Sequence, residues 1–161
     1  MIQTGEKLPE GTLFEMTADG PAQVKASDVF SGRKVALFGV PGAFTPTCNN
    51  QHLPGFIAAM DKLKAKGVDE VVCLAVNDPF VMGQWGEASG AKAAGIRMLG
   101  DATGQFVKAM GLDFTAEPVG LVGRSQRFAA AVDDGTVTAL AVEENPGEAQ
   151  ASSAEALLAK M

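Results

Sequence analysis

Lys34-Val35-Ala36-Leu37-Phe38-Gly39-Val40-Pro41-Gly42-Ala43-Phe44-Thr45-Pro46-Thr47-Cys48 is the stretch that decides the fold. Its first seven residues, apolar from Val35 onward, read as a buried strand. The segment after Pro46 forms helix, so the whole reads strand, loop, helix. This order places Cys48 over the first turn of a helix. Unpaired N–H groups and the positive end of the dipole favour a thiolate there, which is the reactive form of cysteine. Thr45 lies three residues before Cys48 and Pro41 seven before it. In that spacing the hydroxyl reaches the sulfur or its substrate, and the proline ring shields the thiolate from bulk water.

Outward from this stretch, alternation around Leu13-Phe14-Glu15-Met16 and Gln23-Val24-Lys25 predicts a β-hairpin turning at Asp19-Gly20. A helix is expected from about Pro46 to Lys66, with Phe56, Ile57, Met60 and Leu63 as its apolar stripe. Pro54 falls inside it and is expected to kink or split it. Val71–Val76 reads as a second buried strand, followed after Asn77-Asp78-Pro79 by a helix to about Ala88. Ile96–Leu99 reads as a short strand and Gly104–Met110 as a short helix. Arg127–Val132 and Thr136–Val142 flank Asp133-Asp134-Gly135, a second hairpin signal. Ser152, with Glu155 three residues on, reads as the capping box of a last helix. The order ββ–βα–βα–βα–ββ–α describes an α/β chain with parallel crossovers in the middle and antiparallel hairpins at the edges. At 161 residues and 16.6 kDa, residues 1–161 are expected to form one domain.

A net charge of −6 argues against nucleic acid or an anionic membrane as partner, since both require a basic face. No apolar run approaches the roughly 20 residues of a membrane span. MIQTGEKLPE carries no basic-then-apolar signal pattern, so a cytoplasmic location is expected. Two cysteines, one histidine and no C-x-x-C pair give no zinc-ligand spacing. His52, four residues after Cys48, shares a helix face with it; a Cys-His dyad and a packing or partner-contact role are the two readings, the second favoured. Cys73 lies mid-strand among apolar residues, where an inert, buried thiol is the default. A strand-centre cysteine and one at a neighbouring helix start are expected to lie beyond the roughly 7 Å between Cα atoms that a disulfide tolerates.

Pro41-x-x-x-Thr45-x-x-Cys48 resembles the active-site pattern of the peroxiredoxins, the thiol peroxidases. The fuller run PGAFTPTCNNQHLPGF is similar to their atypical two-cysteine and plant type II branch. Asn77-Asp78 and Gln84-Trp85-Gly86 extend the likeness over nearly the whole chain. The resemblance implies a thioredoxin-like fold: a central mixed sheet flanked by helices, with an N-terminal β-hairpin extension. It implies a peroxidase for hydrogen peroxide and alkyl hydroperoxides working through a Cys48 sulfenic acid, with no metal, haem or flavin. It points to Arg127 as the cation at the sulfur. Arg124 is the competing choice, although alternation puts Arg127 on the strand face of Ala129 and Ala131. In plant type II relatives a cysteine at the position of Cys73 has been assigned as the resolving thiol. Other members carry it in the tail, but Glu143–Met161 has no cysteine. This departure favours an outside reductant, glutathione with glutaredoxin, or thioredoxin. The resemblance also implies a homodimer, with Phe44 and Phe80 in the contact. The reading from another class is a non-catalytic redox sensor or holdase on the same fold, signalling through Cys48 oxidation.

Overall fold

The computed structural model describes residues 1–161. Its centre is β3 (Lys34–Gly39) beside β4 (Glu70–Ala75), parallel, with Phe38 opposite Cys73. Beyond its first residue each strand is wholly buried, which is why both read as unbroken apolar runs. β5 (Arg97–Gly100) extends the parallel set, and the hairpin of β1 (Thr12–Thr17) and β2 (Gly20–Lys25) joins it through a single pair, Phe14 with Gly100. On the other side β8 (Phe128–Asp133) and β9 (Thr136–Val142) are antiparallel, giving the order β2-β1-β5-β4-β3-β8-β9. Asp134 and Gly135 both take positive φ, 48° and 76°, the primed turn whose twist suits a two-residue hairpin.

Alternation along β3 divides the core. Ala36 and Phe38 face one layer with α2 (Leu53–Ala58), α3 (Met60–Ala65), α4 (Pro79–Ala88), α5 (Ala91–Ala94) and α7 (Ala154–Ala159). Val35 and Leu37 face the other with α1 (Ala26–Phe30) and α6 (Gln105–Ala109). No helix is long and apolar enough to cross a membrane.

Three expectations change. Helical conformation does begin at Pro46, but Cys48–His52 is wound as a π turn in which the Leu53 N–H reaches back to the Cys48 carbonyl. Pro54 then falls in the first turn of α2, where its missing N–H costs nothing, so the break comes at Ala59 and not at Pro54. The last helix is capped by Ser153, whose hydroxyl accepts from the Ala156 N–H; Ser152 is buried and used elsewhere, and no Ser152–Glu155 box forms. A second small sheet, β6 (Asp113–Ala116) with β7 (Leu121–Ser125), stands where no strand was expected.

Candidate active site

The sulfur of Cys48 has no solvent exposure. It sits over the C-terminal end of β3 in the loop-to-helix junction, above a floor of Phe38 stacked on Phe56 with ring centroids 4.0 Å apart. Thr45 Oγ1 lies 2.8 Å from the sulfur and 2.8 Å from the Gly42 carbonyl oxygen. Thr45 is the last residue before the helix, yet its hydroxyl serves the sulfur and the loop. The Thr47 hydroxyl donates to the Gly147 carbonyl.

Arg127, immediately before β8, is 2% exposed. Its guanidinium donates three ways: Nη2 to Cys48 Sγ at 3.0 Å, Nη1 to His52 Nδ1 at 3.0 Å, and Nε to the Pro146 carbonyl at 2.9 Å. No carboxylate lies within ion-pair distance of it. The sulfur is the one group in contact with this buried cation that can carry a negative charge, and a buried charge is costly unless opposed. Ala129, Ala131 and Cys48 belong to one core layer, and Arg127, on their side by alternation, reaches the Cys48 sulfur. Arg124 lies on β7 and donates to the Pro41 carbonyl at 3.2 Å, so it shapes the loop and does not touch the sulfur.

His52 is buried, tilted against both Phe38 and Phe56. Its Nε2 lies 2.8 Å from the Ser152 carbonyl oxygen, which only accepts. Nε2 therefore carries the proton and Nδ1 is free to accept from Arg127. Burial and the neighbouring Arg127 charge lower its pKa from 6.5 to about 4, against smaller opposing effects of the Ser152 hydrogen bond and Glu143. Neither nitrogen faces the sulfur as a base; the ring holds the arginine. This is the packing role favoured over the dyad, with a definite partner.

Pro41 is buried and lines a cavity of about 230 Å³ together with Thr45, Arg127 and Pro146. Phe114 and Leu121 of the second sheet form its outer wall. Gly42 is small because a Cβ there would lie 2.8 Å from Arg124 Nη1 and 3.3 Å from Thr45 Cγ2. Its smallness accommodates protein side chains. Cys73 lies in β4 in the same core layer as Cys48, fully buried. Burial first, then the neighbouring Cys48, pushes its thiol up, with Arg127 opposing.

The sequence did not point to Glu143 and Ser152, which contact this constellation through backbone groups, or to the cavity wall on β6 and β7. Only His52 had a signal in the sequence, its i, i+4 spacing from Cys48.

The family described as Redoxin matches residues 3–158. The chain is 44% identical to Peroxiredoxin-2C of Oryza sativa subsp. japonica, over 98% of this chain and 96% of that protein. It is 42% identical to the mitochondrial Peroxiredoxin-2F of Arabidopsis thaliana, over 96% of this chain and 85% of the relative. Among solved structures, reduced Prx3 from Vibrio vulnificus in complex with hydrogen peroxide superposes with a TM-score of 0.91 at 49% identity, covering 99% of this chain and 98% of the other. The mixed sheet with its N-terminal hairpin and flanking helices is accordingly the thioredoxin-like redoxin fold. By sequence, fold and the placing of its buried thiol beside Arg127, the chain belongs to the type II branch of the peroxiredoxins and is a thiol peroxidase.

Proposed function

We propose that the protein reduces hydrogen peroxide and alkyl hydroperoxides through a sulfenic acid at Cys48 and is recycled by an external thiol, glutathione with glutaredoxin or thioredoxin. The observation that carries this reading is the convergence of the Thr45 hydroxyl and the Arg127 guanidinium on one buried sulfur, at 2.8 and 3.0 Å. The thiolate attacks one peroxide oxygen in line with the O–O bond. An S–O bond forms, the O–O bond breaks, and the sulfur is oxidised by two electrons. Hydroxide or alkoxide leaves and is protonated by water, and Cys48 remains as the sulfenic acid. When Thr45 donates to the Gly42 carbonyl, its lone pairs are free to accept the peroxide O–H and align the oxygen on the sulfur. Arg127 is always charged, so it supplies a fixed cation to the sulfur and to the charge that develops on the leaving oxygen. Pro41 closes one side of the approach.

An outside thiol then attacks the sulfenic sulfur, expelling water and leaving a mixed disulfide, and a second thiol frees Cys48. Cys73 supports this external route by its burial and its raised pKa, both of which suppress thiolate exchange. The test is a reductase-coupled peroxide assay run with glutathione–glutaredoxin and with thioredoxin. Cys48→Ser should abolish peroxide consumption even in a single turnover, and Cys73→Ala should keep most turnover. A quantitative Cys48–Cys73 disulfide in mass spectra, with turnover lost in Cys73→Ala, would assign resolution to Cys73 instead.

A further inference from the structure

We infer that Glu143 is a positioning residue for the Arg127–Cys48 pair, acting through the loop that follows it. The inference rests on the roles of Cys48 and Arg127 proposed above. Glu143 directly follows β9, and its N–H donates to the Arg127 carbonyl at 2.9 Å. Its side chain turns inward, and one carboxylate oxygen accepts three bonds: from the Ser152 N–H and hydroxyl, each at 2.6 Å, and from the Gln150 N–H at 2.9 Å. Those bonds close residues 144–152 into a tight loop whose ends are fixed to one another.

Two carbonyls of that loop orient the arginine. Pro146 accepts from Nε directly, and Ser152 accepts from His52, whose other nitrogen accepts from Nη1. Of the three guanidinium nitrogens, only the one aimed at the sulfur is held independently of the loop. The Thr47 hydroxyl ties the same loop to the helix that carries Cys48. Burial pushes the Glu143 carboxyl up, but the hydrogen bonds from Ser152, Ala151 and Gln150 outweigh it and the net shift is downward, as fits an acceptor built to stay ionised. The carboxylate closes the loop without forming an ion pair with Arg127, so the guanidinium charge is left for the sulfur.

The test uses the full chain carrying Cys73→Ala, so that ultraviolet thiolate absorbance reports Cys48 alone, with the bimolecular rate constant for hydrogen peroxide as second readout. In Glu143→Ala we expect thiolate absorbance at mildly acidic pH to fall about threefold and the peroxide rate about tenfold, with native-like circular dichroism. In an Arg127→Ala background, the same substitution should change the rate less than about twofold, because the group it positions is gone. Glu143→Gln keeps an acceptor oxygen and should lose only about threefold in rate. A folded Glu143→Ala variant with both readouts within about twofold of its parent overturns the proposal, as does an equal loss with and without Arg127. If Glu143→Ala does not fold, Glu143→Gln decides by the same comparison. A parent protein that consumes no peroxide would sink the peroxidase reading, while thiolate absorbance would still decide this one.

Discussion

Thr45 and Arg127 act on the same sulfur by different means. The hydroxyl offers a short, orientable contact, whereas the guanidinium offers charge from a side chain held at three nitrogens. Thr45→Val keeps the shape and removes only the hydroxyl. It should lower the peroxide rate constant by about 10²-fold, the usual loss for one oriented hydrogen-bonding group aimed at developing charge. Arg127→Lys should fare no better, because a point charge cannot serve Pro146, His52 and Cys48 together. Stopped-flow peroxide reduction measures both, and a Thr45→Val rate within about threefold of wild type would remove the hydroxyl from the chemistry. At this scale the sequence was most informative. Thr45 and Cys48 lie within one turn, and Arg127 could be chosen over Arg124 by strand alternation and family likeness. His52 was visible as a helix-face neighbour, but its tautomer and partner were not, since they depend on residues 75 and 100 positions away.

Among the elements, the second sheet was the least legible and has the clearest functional consequence. β6 and β7 are short and partly exposed, with no apolar run and no tight hairpin turn to reveal them. Their Phe114 and Leu121 nevertheless wall the cavity beside Thr45 and Arg127. Leu121→Gln is therefore expected to raise the KM for an aromatic hydroperoxide several-fold while changing that for hydrogen peroxide little, because only the former fills apolar space. Steady-state kinetics with both substrates test this, and equal changes would count against the wall. The buried strands and the two main hairpins were legible because burial and turn chemistry leave local signatures: continuous apolar runs in β3 and β4, Asp-Gly at both reversals. The π turn at Cys48–His52 was not, since it reflects how Pro54 is accommodated one turn later. Ser152 was mistaken for a cap because its neighbour Ser153 fits the same local rule; the choice between them was made by Glu143, from outside the helix.

The whole molecule should lose stability in acid. The unfolded His52 takes a proton near pH 6.5, whereas in the fold it does so at about 4. The native state thus binds fewer protons between those values, and stability falls as pH drops through that window, by up to about 3 kcal/mol. Glu143, lowered in the fold, works in the same direction; Asp101, buried and raised despite accepting from the Phe106 and Val107 N–H groups, opposes it. Urea midpoints at pH 7 and pH 4.5 should show the loss, and His52→Asn should flatten it; an unchanged slope in that variant would exclude His52 as the source. Phe44 and Phe80 are 49% and 62% exposed, and the homodimer that the family resemblance implies would cover them. Light scattering on wild type and Phe80→Asp tests it: a dimer should become monomer, and a wild-type monomer would refute the pairing. The complete burial of Cys48 has one more effect. The cavity of about 230 Å³ beside Thr45 is room for a molecule the size of peroxide and not for another protein's surface. On the proposed external route, oxidation and reduction would run on separate clocks, the second set by how often the buried sulfur is uncovered. Phe44, in the turn just before the Cys48 helix, holds a strained φ of 65°. Bulky thiol-blocking drugs would pass the closed protein by and trap only the fraction caught open.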